Sequence, residues 1–415
     1  MSVAPTVKLN NGIEMPVLGL GTWQMEEKEG VELIKEAIDC GYRHFDTALL
    51  YHSERIIGQA IREKIADGTV ARSDLFITTK LWCTYAHPEL VVKACKKSLK
   101  NLGLDYVDLY LIHWPVAFKA TDKIDEPTAQ NMLDIETLLN YPEYFPRDSE
   151  GFIITSDTDY LDTWKEMEKC VDLGLARSIG VSNFNASQLD RVVTNARILP
   201  VTNQVEVNPY LNQKNLIEFC KERKVIVTCY GPLGTAAPPK TPGLPKMTEH
   251  PTIKKIAEAK KKSPAQIVLR YLVPAPPKQC LTEIHTNTHL VIVFQVQLGT
   301  VVIPKTSNPK RLPENIDIFD FTLSPEEMAE VDTMNCNDRI CIIPETVDVG
   351  RKNNTDLHDL CSSDILGQET PEKEHLYPTL LFLSCISPWE DIRFQWRYDG
   401  TNSETRRYQS VLING

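Results

Sequence analysis

The chain of 415 residues has no apolar run long enough to span a membrane; its longest candidate, Leu290 to Phe294, is far too short. It also lacks an excess of positive charge, with 45 Lys and Arg against 56 Asp and Glu and a formal net charge of -11. That balance argues against a general nucleic-acid binder and leaves room for one local phosphate site. The 11 cysteines include no CxxC pair and are odd in number. Scattered thiols of this kind suit a reducing compartment better than a disulfide framework. No basic segment followed by an apolar one opens the chain between Met1 and Asn11, so no secretory signal is expected and a cytoplasmic location is. The sequons at Asn185-Ala186-Ser187 and Asn353-Asn354-Thr355 then carry no meaning.

Two further absences bear on chemistry. Gly19-Leu20-Gly21-Thr22-Trp23-Gln24 lacks the third glycine of a GxGxxG fingerprint. The pair therefore reads as two flexible turn glycines rather than a phosphate cradle. No HxH stands at the first strand, which speaks against a metal-dependent barrel hydrolase. His285 and His289 have metal-like i, i+4 spacing, but no carboxylate partner lies near and the setting is Pro-rich, so no metal is expected.

What is present is an alternation. Thr6 to Leu9, Asn11-Gly12 and Ile13 to Met15 read as a hairpin, because Asn-Gly supplies the positive φ of a tight turn. Strand-like runs follow at Val17 to Leu20, Tyr42 to Asp46, Leu75 to Lys80, Val107 to His113, Ala176 to Val181, Gln204 to Val207, Val225 to Cys229 and Thr300 to Ile303. Between them lie amphipathic stretches such as Val91, Cys95, Leu99 and Leu102, whose spacing makes one apolar helical stripe. Near-continuous apolar strands alternating with helices imply a parallel sheet covered by helices. Eight such units favour an α/β fold of the (β/α)₈ TIM barrel type over an open doubly wound sheet. Ser324-Pro325-Glu326-Glu327 has the form of a capped helix start.

In such a barrel the chemistry sits at the carboxyl ends of the strands. The polar residues there are Asp46 with Tyr51 just beyond, Lys80, His113, Ser182 and Asn183, Gln204, Tyr230 and Lys305. A phenol ordinarily titrates near 10, and a neighbouring ammonium would stabilise its phenolate. Tyr51 beside Lys80 would thus be a usable general acid near neutral pH, with Asp46 orienting Lys80 and His113 donating to a substrate oxygen. Any one of these residues alone is more often a solvated rim residue than a catalyst; four complementary types at successive strand ends shift the balance. Trp23, Trp82 and Trp114 are core residues by default, yet each follows a strand end where an apolar pocket could form. Ile303 to Arg311 combines a strand end, hydroxyls and basic side chains in a place suited to an anion.

Taken together, Gly19 to Trp23, Gly41 to Ala48, Thr79 to Trp82, Leu111 to Pro115, Gly180 to Phe184, Gln204 to Glu206 and Ile303 to Lys305 resemble the aldo-keto reductase superfamily, in its aldose/aldehyde reductase-like branch. The resemblance runs in order over most of residues 7 to 335. It implies NADPH-dependent reduction of aldehydes or ketones, without a Rossmann domain. Position by position, it implies Tyr51 as proton donor supported by Lys80 and Asp46, with His113 orienting the carbonyl. Ser182, Asn183 and Gln204 would hold the nicotinamide carboxamide and Tyr230 would stack on its ring. Lys305, Thr306, Asn308 and Arg311 would meet the 2′-phosphate, and Glu314 and Asn315 the adenine, with Thr22 and Leu233 also at the cofactor. Trp23, Leu50, Trp82 and Trp114 would line the pocket for a small carbonyl substrate. A monomer is expected, with no nucleic-acid or membrane partner. The competing reading is a non-catalytic NADP(H)-binding or impaired isoform with a regulatory role; the complete set of four strand-end residues favours the enzyme.

The chain departs from the family pattern in places. Ser53 stands where Asn is usual, and Ala237 where an acidic residue is usual in a loop that clasps the pyrophosphate. The segment 274–296 reads as an insertion whose part from His289 onward is apolar and β-prone, and 120–144 as a second, polar one. The barrel is expected over 1–335, with an irregular C-terminal loop and tail over 336–415.

Overall fold

The protein is described by a computed structural model, which covers residues 3–120, 141–234, 239–274, 281–286, 289–294 and 298–340. The polar stretch 121–140, Ala237 and the tail from 341 lie outside the described residues.

An antiparallel hairpin comes first: β1 (Thr6–Lys8) pairs with β2 (Glu14–Pro16). Gly12 takes φ +88 in its turn, a conformation that an L side chain adopts only with strain. Then follow β3 (Leu20–Gly21), α1 (Glu27–Asp39), β4 (His44–Asp46), α2 (Glu54–Ala66), β5 (Phe76–Leu81), α3 (Pro88–Leu102) and β6 (Leu109–Ile112). After the long β6 connection come α4 (Tyr160–Asp172), β7 (Ile179–Ser182), α5 (Ala186–Asn195), β8 (Thr202–Glu206), α6 (Lys214–Glu222) and β9 (Ile226–Tyr230). The chain continues through α7 (Pro251–Lys260), α8 (Pro264–Leu272), β10 (Leu281–Thr286), β11 (His289–Phe294), β12 (Val301–Val302), α9 (Leu312–Ile316) and α10 (Pro325–Asp332). The expected helix start at Ser324 is present, its hydroxyl accepting from Glu327 N while the Glu327 carboxylate accepts from Ser324 N.

Eight parallel strands lie in the order β3-β4-β5-β6-β7-β8-β9-β12. Parallel bridges pair Leu18 with Val302 and Gly21 with Lys305, so the first strand meets the last and the sheet closes. Closure leaves no sheet edge exposed. Here the reading of Gly19 and Gly21 as flexible turn residues is corrected, because neither takes a positive φ. They are close-approach glycines: a Cβ on Gly21 would stand 2.9 Å from Ile303 O, and one on Gly19 2.7 Å from the His44 ring.

The hairpin plugs the amino end of the barrel. Leu9 and Met15 pack with Phe76, Leu109, Leu111, Val201 and Val301 from the strands, and Val7 and Ile13 lie against them. Asn10 Nδ2 donates to Pro200 O at 2.8 Å and Asn11 Nδ2 to Ser178 Oγ at 2.9 Å, fixing the turn. Because every barrel strand runs the same way, this leaves the carboxyl end for the polar side chains.

β10 and β11 form a separate two-stranded ribbon, outside the barrel sheet. Its two ends leave and rejoin the barrel at one point: Leu298 N donates to Tyr271 O at 3.4 Å and Thr300 N to Leu272 O at 3.1 Å. His285 and His289 fall on opposite strands of this ribbon, so their i, i+4 spacing is not helical. We predict that deleting 274–296, so that Val273 joins Gln297, leaves a protein at least as stable and soluble as the full chain. Connections of about 2 to 6 residues are usual in α/β units, and lengthening a loop costs little by closure entropy. The gain would come from removing ribbon edges whose backbone groups are open to pairing. Arg270 loses its bond to Pro274 O but keeps that to Ile318 O. Melting temperature and soluble yield of the two proteins are the measurements, and an unfolded deletion variant would show the ribbon to be integral.

Candidate active site

Asp46 ends β4, Lys80 lies near the end of β5 and His113 follows β6 directly. Tyr51 is carried by the turn Leu49–Tyr51 after β4. The parallel registers of β4 on β5 and β5 on β6 bring these side chains to one end of the barrel. Lys80 is fully buried, and its Nζ reaches Asp46 Oδ1 at 2.5 Å, Thr47 O at 3.0 Å and the Tyr51 hydroxyl at 3.4 Å. On the other side of the phenol, His113 Nε2 lies 3.4 Å from the same oxygen. The Lys80 ammonium is also 4.7 Å from the centre of the Tyr51 ring. The four residues are therefore one constellation.

Burial draws the Lys80 ammonium below its ordinary range, against the opposing pull of Asp46. Burial, helped by the Lys80 charge, holds His113 well below the ordinary imidazole value. His113 is thus a neutral imidazole at neutral pH, able to share a proton with a neighbouring oxygen without carrying a charge. The phenol stands between a cation and a neutral imidazole, which suits it to give up and regain a proton.

Behind these groups is a buried hydroxyl cluster. Thr22 Oγ1 donates to Asp46 O at 2.9 Å and lies 2.8 Å from Ser53 Oγ, which is 2.9 Å from Thr47 Oγ1. Ser53 thus bridges two threonines within the wall, and the departure from Asn is accommodated by neighbours that supply the bonds. Thr22 is completely buried with its hydroxyl engaged in this cluster.

Across the barrel, Gln204 Nε2 donates to Asp46 Oδ2 at 2.7 Å. Ser182 Oγ donates to Gln204 O at 2.8 Å, Asn183 Nδ2 to His113 O at 3.0 Å, and Tyr230 OH to Asn183 Oδ1 at 2.8 Å. Asn183 holds φ +64, a left-handed conformation that Asn tolerates better than most residues. These four residues are gathered beside the constellation, and the link from Gln204 to Asp46 was not visible in the sequence. Leu233 is partly buried against the core just after β9.

The aromatic wall is continuous. Trp23 meets Tyr51 edge-on at 4.9 Å, and Trp82 meets His113 at 5.2 Å, Phe145 at 5.3 Å and Phe118 at 6.0 Å. Trp82 Nε1 donates to Tyr144 O at 2.9 Å. Leu50 is buried, and Trp114 is partly buried against the core. Phe118, Tyr144, Phe145 and His52 belong to this wall and were not singled out from sequence; the aromatic density around the long β6 connection was the available signal.

The basic stretch starts where the barrel closes, at Lys305. Thr306 Oγ1 accepts from Asn308 N at 3.1 Å and Asn308 Oδ1 from Lys310 N at 3.0 Å, so both side chains shape the turn. Lys310 and Arg311 are exposed, and neither forms an ion pair with a described residue. Asn315 is buried and Glu314 half-buried on α9. Among the described residues no group of His, Cys, Asp and Glu is arranged to hold a metal ion, and no helix is long and apolar enough to cross a membrane.

The sequence model of the Aldo/keto reductase family matches residues 17–335. An aldo-keto reductase family 1 member C23-like protein of Equus caballus is 42% identical, the match covering 82% of this chain and 94% of the relative. Dihydrodiol dehydrogenase 3 of Bos taurus is 43% identical over 80% of this chain and 92% of its own. Among solved structures, the aldose reductase of Schistosoma japonicum superposes with a TM-score of 0.66 at 37% identity, covering 80% of this chain and 93% of that one. A Bombyx mori aldo-keto reductase in complex with NADP gives 0.65 at 37% identity, with 83% and 96% covered.

Two histidines in and under the site give a pH prediction. His44 is fully buried between Pro16 O at 3.3 Å and Thr78 Oγ1 at 3.2 Å, and burial pulls it from 6.5 to about 4. His52, edge-on to Tyr144, is likewise drawn to about 4 by burial and by the Arg55 charge. Below pH 6.5 the unfolded chain takes up protons that these folded imidazoles refuse until about pH 4. Stability is therefore full above 6.5 and falls through that window, by about 1.4 kcal/mol per pH unit for each fully shifted group. Urea midpoints at descending pH should fall more gently in His52→Gln than in the wild type; equal slopes would contradict this account.

Proposed function

The chain belongs to the aldo/keto reductase family and is an NADP-dependent oxidoreductase, and on that premise we propose that it reduces aldehydes or ketones to alcohols with Tyr51 as the proton donor. The observation that carries this reading is the Tyr51 hydroxyl lying 3.4 Å from both Lys80 Nζ and His113 Nε2, with Asp46 2.5 Å behind the lysine. When bound, the reduced cofactor supplies the hydride. The chain's own residues do the rest. Lys80 stabilises the phenolate left when Tyr51 gives its proton to the carbonyl oxygen, and Asp46 keeps the lysine aimed. His113, neutral through burial, orients that oxygen toward the phenol.

The residues present fit a phosphorylated dinucleotide. Lys310 and Arg311 are cations without acidic partners among the described residues, in a protein of net charge -11. Gln204 Oε1 accepts no hydrogen bond from a described residue and is open to a carboxamide N–H. In this reading Ser182, Asn183 and Gln204 hold the carboxamide, Tyr230 lies against the ring, and Thr22 and Leu233 are also at the cofactor. Lys305, Thr306, Asn308 and Arg311 receive the 2′-phosphate, and Glu314 and Asn315 the adenine. Trp23, Leu50, Trp82 and Trp114 form an apolar pocket for the carbonyl substrate. We read the enzyme as a monomer and place it in the cytoplasm, a location that the scattered cysteines without a CxxC pair suit.

Two variants test the reading. Tyr51→Phe removes only the transferable proton, so carbonyl reduction should fall on the order of 10² to 10⁴ while NADPH affinity stays within a few fold. Wild-type turnover in that variant would overturn the role given to Tyr51. NADPH should bind more tightly than NADH, through charge-assisted bonds to the extra phosphate. Arg311→Ala should narrow that preference when dissociation constants are compared at fixed salt, and a wild type indifferent to the two cofactors would rule out the phosphate site.

A further inference from the structure

Asp46 is bonded through both of its oxygens, Oδ1 to Lys80 at 2.5 Å and Oδ2 to Gln204 Nε2 at 2.7 Å. β4 and β8, which carry Asp46 and Gln204, are four places apart in the closed ring of eight, so this bond crosses the barrel interior. The Nε2 end of the Gln204 amide therefore grips the carboxylate that holds Lys80, and the other end, Oε1, accepts no hydrogen bond from a described residue and is the atom the proposed reading gives to the carboxamide. We propose that Gln204 is a positioning residue that couples occupancy of the cofactor site to proton release from Tyr51, through Asp46 and Lys80. The inference rests on the proposed role of Tyr51.

The direction follows from elementary electrostatics. Donation from Nε2 to Oδ2 draws carboxylate charge away from Lys80, leaving more of the ammonium's field for the phenol oxygen. A hydrogen bond accepted at Oε1 polarises the amide and strengthens its donation on the far side. Occupancy of the carboxamide site thus favours the phenolate, and by linkage the phenolate favours occupancy. His113 from the end of β6 faces the phenol, and the titratable or charged residues His52, Glu54 and Arg55 follow Tyr51 in the chain. Glu54 is buried and bonded to Thr79 and Asn101. His52 and His113 are both held neutral near pH 7 by burial. The pathway from Gln204 through Asp46 and Lys80 joins the two sites through side-chain groups throughout, whereas the route from Asn183 to His113 passes through the His113 backbone carbonyl.

Were the amide only satisfying a buried oxygen or holding a carboxamide, its loss would change stability or NADPH affinity and leave the phenol alone. The test is a tyrosinate absorbance titration of the apoprotein, wild type against Gln204→Leu and Gln204→Glu, each with Tyr51→Phe added as the subtraction. Thermal melts confirm that each variant is folded, and the Glu variant keeps the shape of the side chain. The Tyr51-dependent step should move upward by roughly one pH unit in Gln204→Leu, and further in Gln204→Glu, which adds a second carboxylate beside Asp46. A Tyr51-dependent step at the same pH in all three proteins would overturn the coupling and leave the proton-donor reading intact. If Tyr51→Phe turns over carbonyls at the wild-type rate, the proton-donor reading fails, and the coupling fails with it.

Discussion

The ammonium of Lys80 has no contact with solvent, and this sets the terms for the rest of the site. An unpaired buried charge is strongly destabilising, and even a paired one repays its desolvation only when its geometry is tightly held. Lys80 therefore requires Asp46, and Asp46 in turn must be fixed. The structure fixes it three ways: through Gln204 on Oδ2, through Thr22 on its backbone carbonyl, and through its place as the last residue of β4. Hydrophobic side chains of the same volume would stabilise the barrel at least as well. The pair is thus read as a chemical device that the fold supports rather than as a source of stability.

That support comes from how the barrel is closed. The bridges from Leu18 to Val302 and from Gly21 to Lys305 fix the first strand against the last, and the hairpin fills the amino end with Leu9 and Met15. A plugged end and a closed sheet leave one mouth. The same closure fixes the start of the basic stretch against the first strand, since Lys305 is both the bridge partner of Gly21 and the first cation of that stretch. A glycine is required at position 21 because Ile303 O would meet any Cβ there; the pattern Gly-Leu-Gly is written by sheet closure, not by a phosphate.

Much of this was legible in the residues alone. All eight strands, the hairpin and the capped helix at Ser324 follow from periodicity and turn chemistry, which are local. The grouping of Asp46, Tyr51, Lys80 and His113 followed from their places at strand ends, because parallel strands must deliver those ends to one side. What periodicity does not carry is which side-chain bonds form across the interior. Gln204 and Asp46 are 158 positions apart, and nothing in either neighbourhood points to the other. Ser53 stands out in the sequence only as a tolerable departure from Asn, and its place between the hydroxyls of Thr22 and Thr47 is set by the tertiary fold. Gly19 and Gly21 were read by their local conformational freedom, whereas their cause is contact with distant strands.

The C-terminal part of the described chain shows the same limit from the other side. From Asn335 onward the sequence has no periodicity, yet Asp338 is buried, and its carboxylate accepts from Thr241 N and Thr241 Oγ1 at 2.8 Å each. Ile340 N donates to both oxygens of Glu206, at 2.9 and 3.0 Å. Glu206 ends β8 and Thr241 lies in the connection that follows β9, the loop where Ala237 replaces an acidic residue. The segment 336–340 thus ties the carboxyl end of the barrel to that connection through two carboxylates that accept from backbone amides and, at Asp338, from the Thr241 hydroxyl as well. A backbone amide is present whatever the residue, so such a tie leaves no pattern in the sequence on the donor side. Irregular sequence here goes with donors that are mostly main chain. The side chains of Glu206, Asp338 and Thr241 are the part of the tie that selection can write.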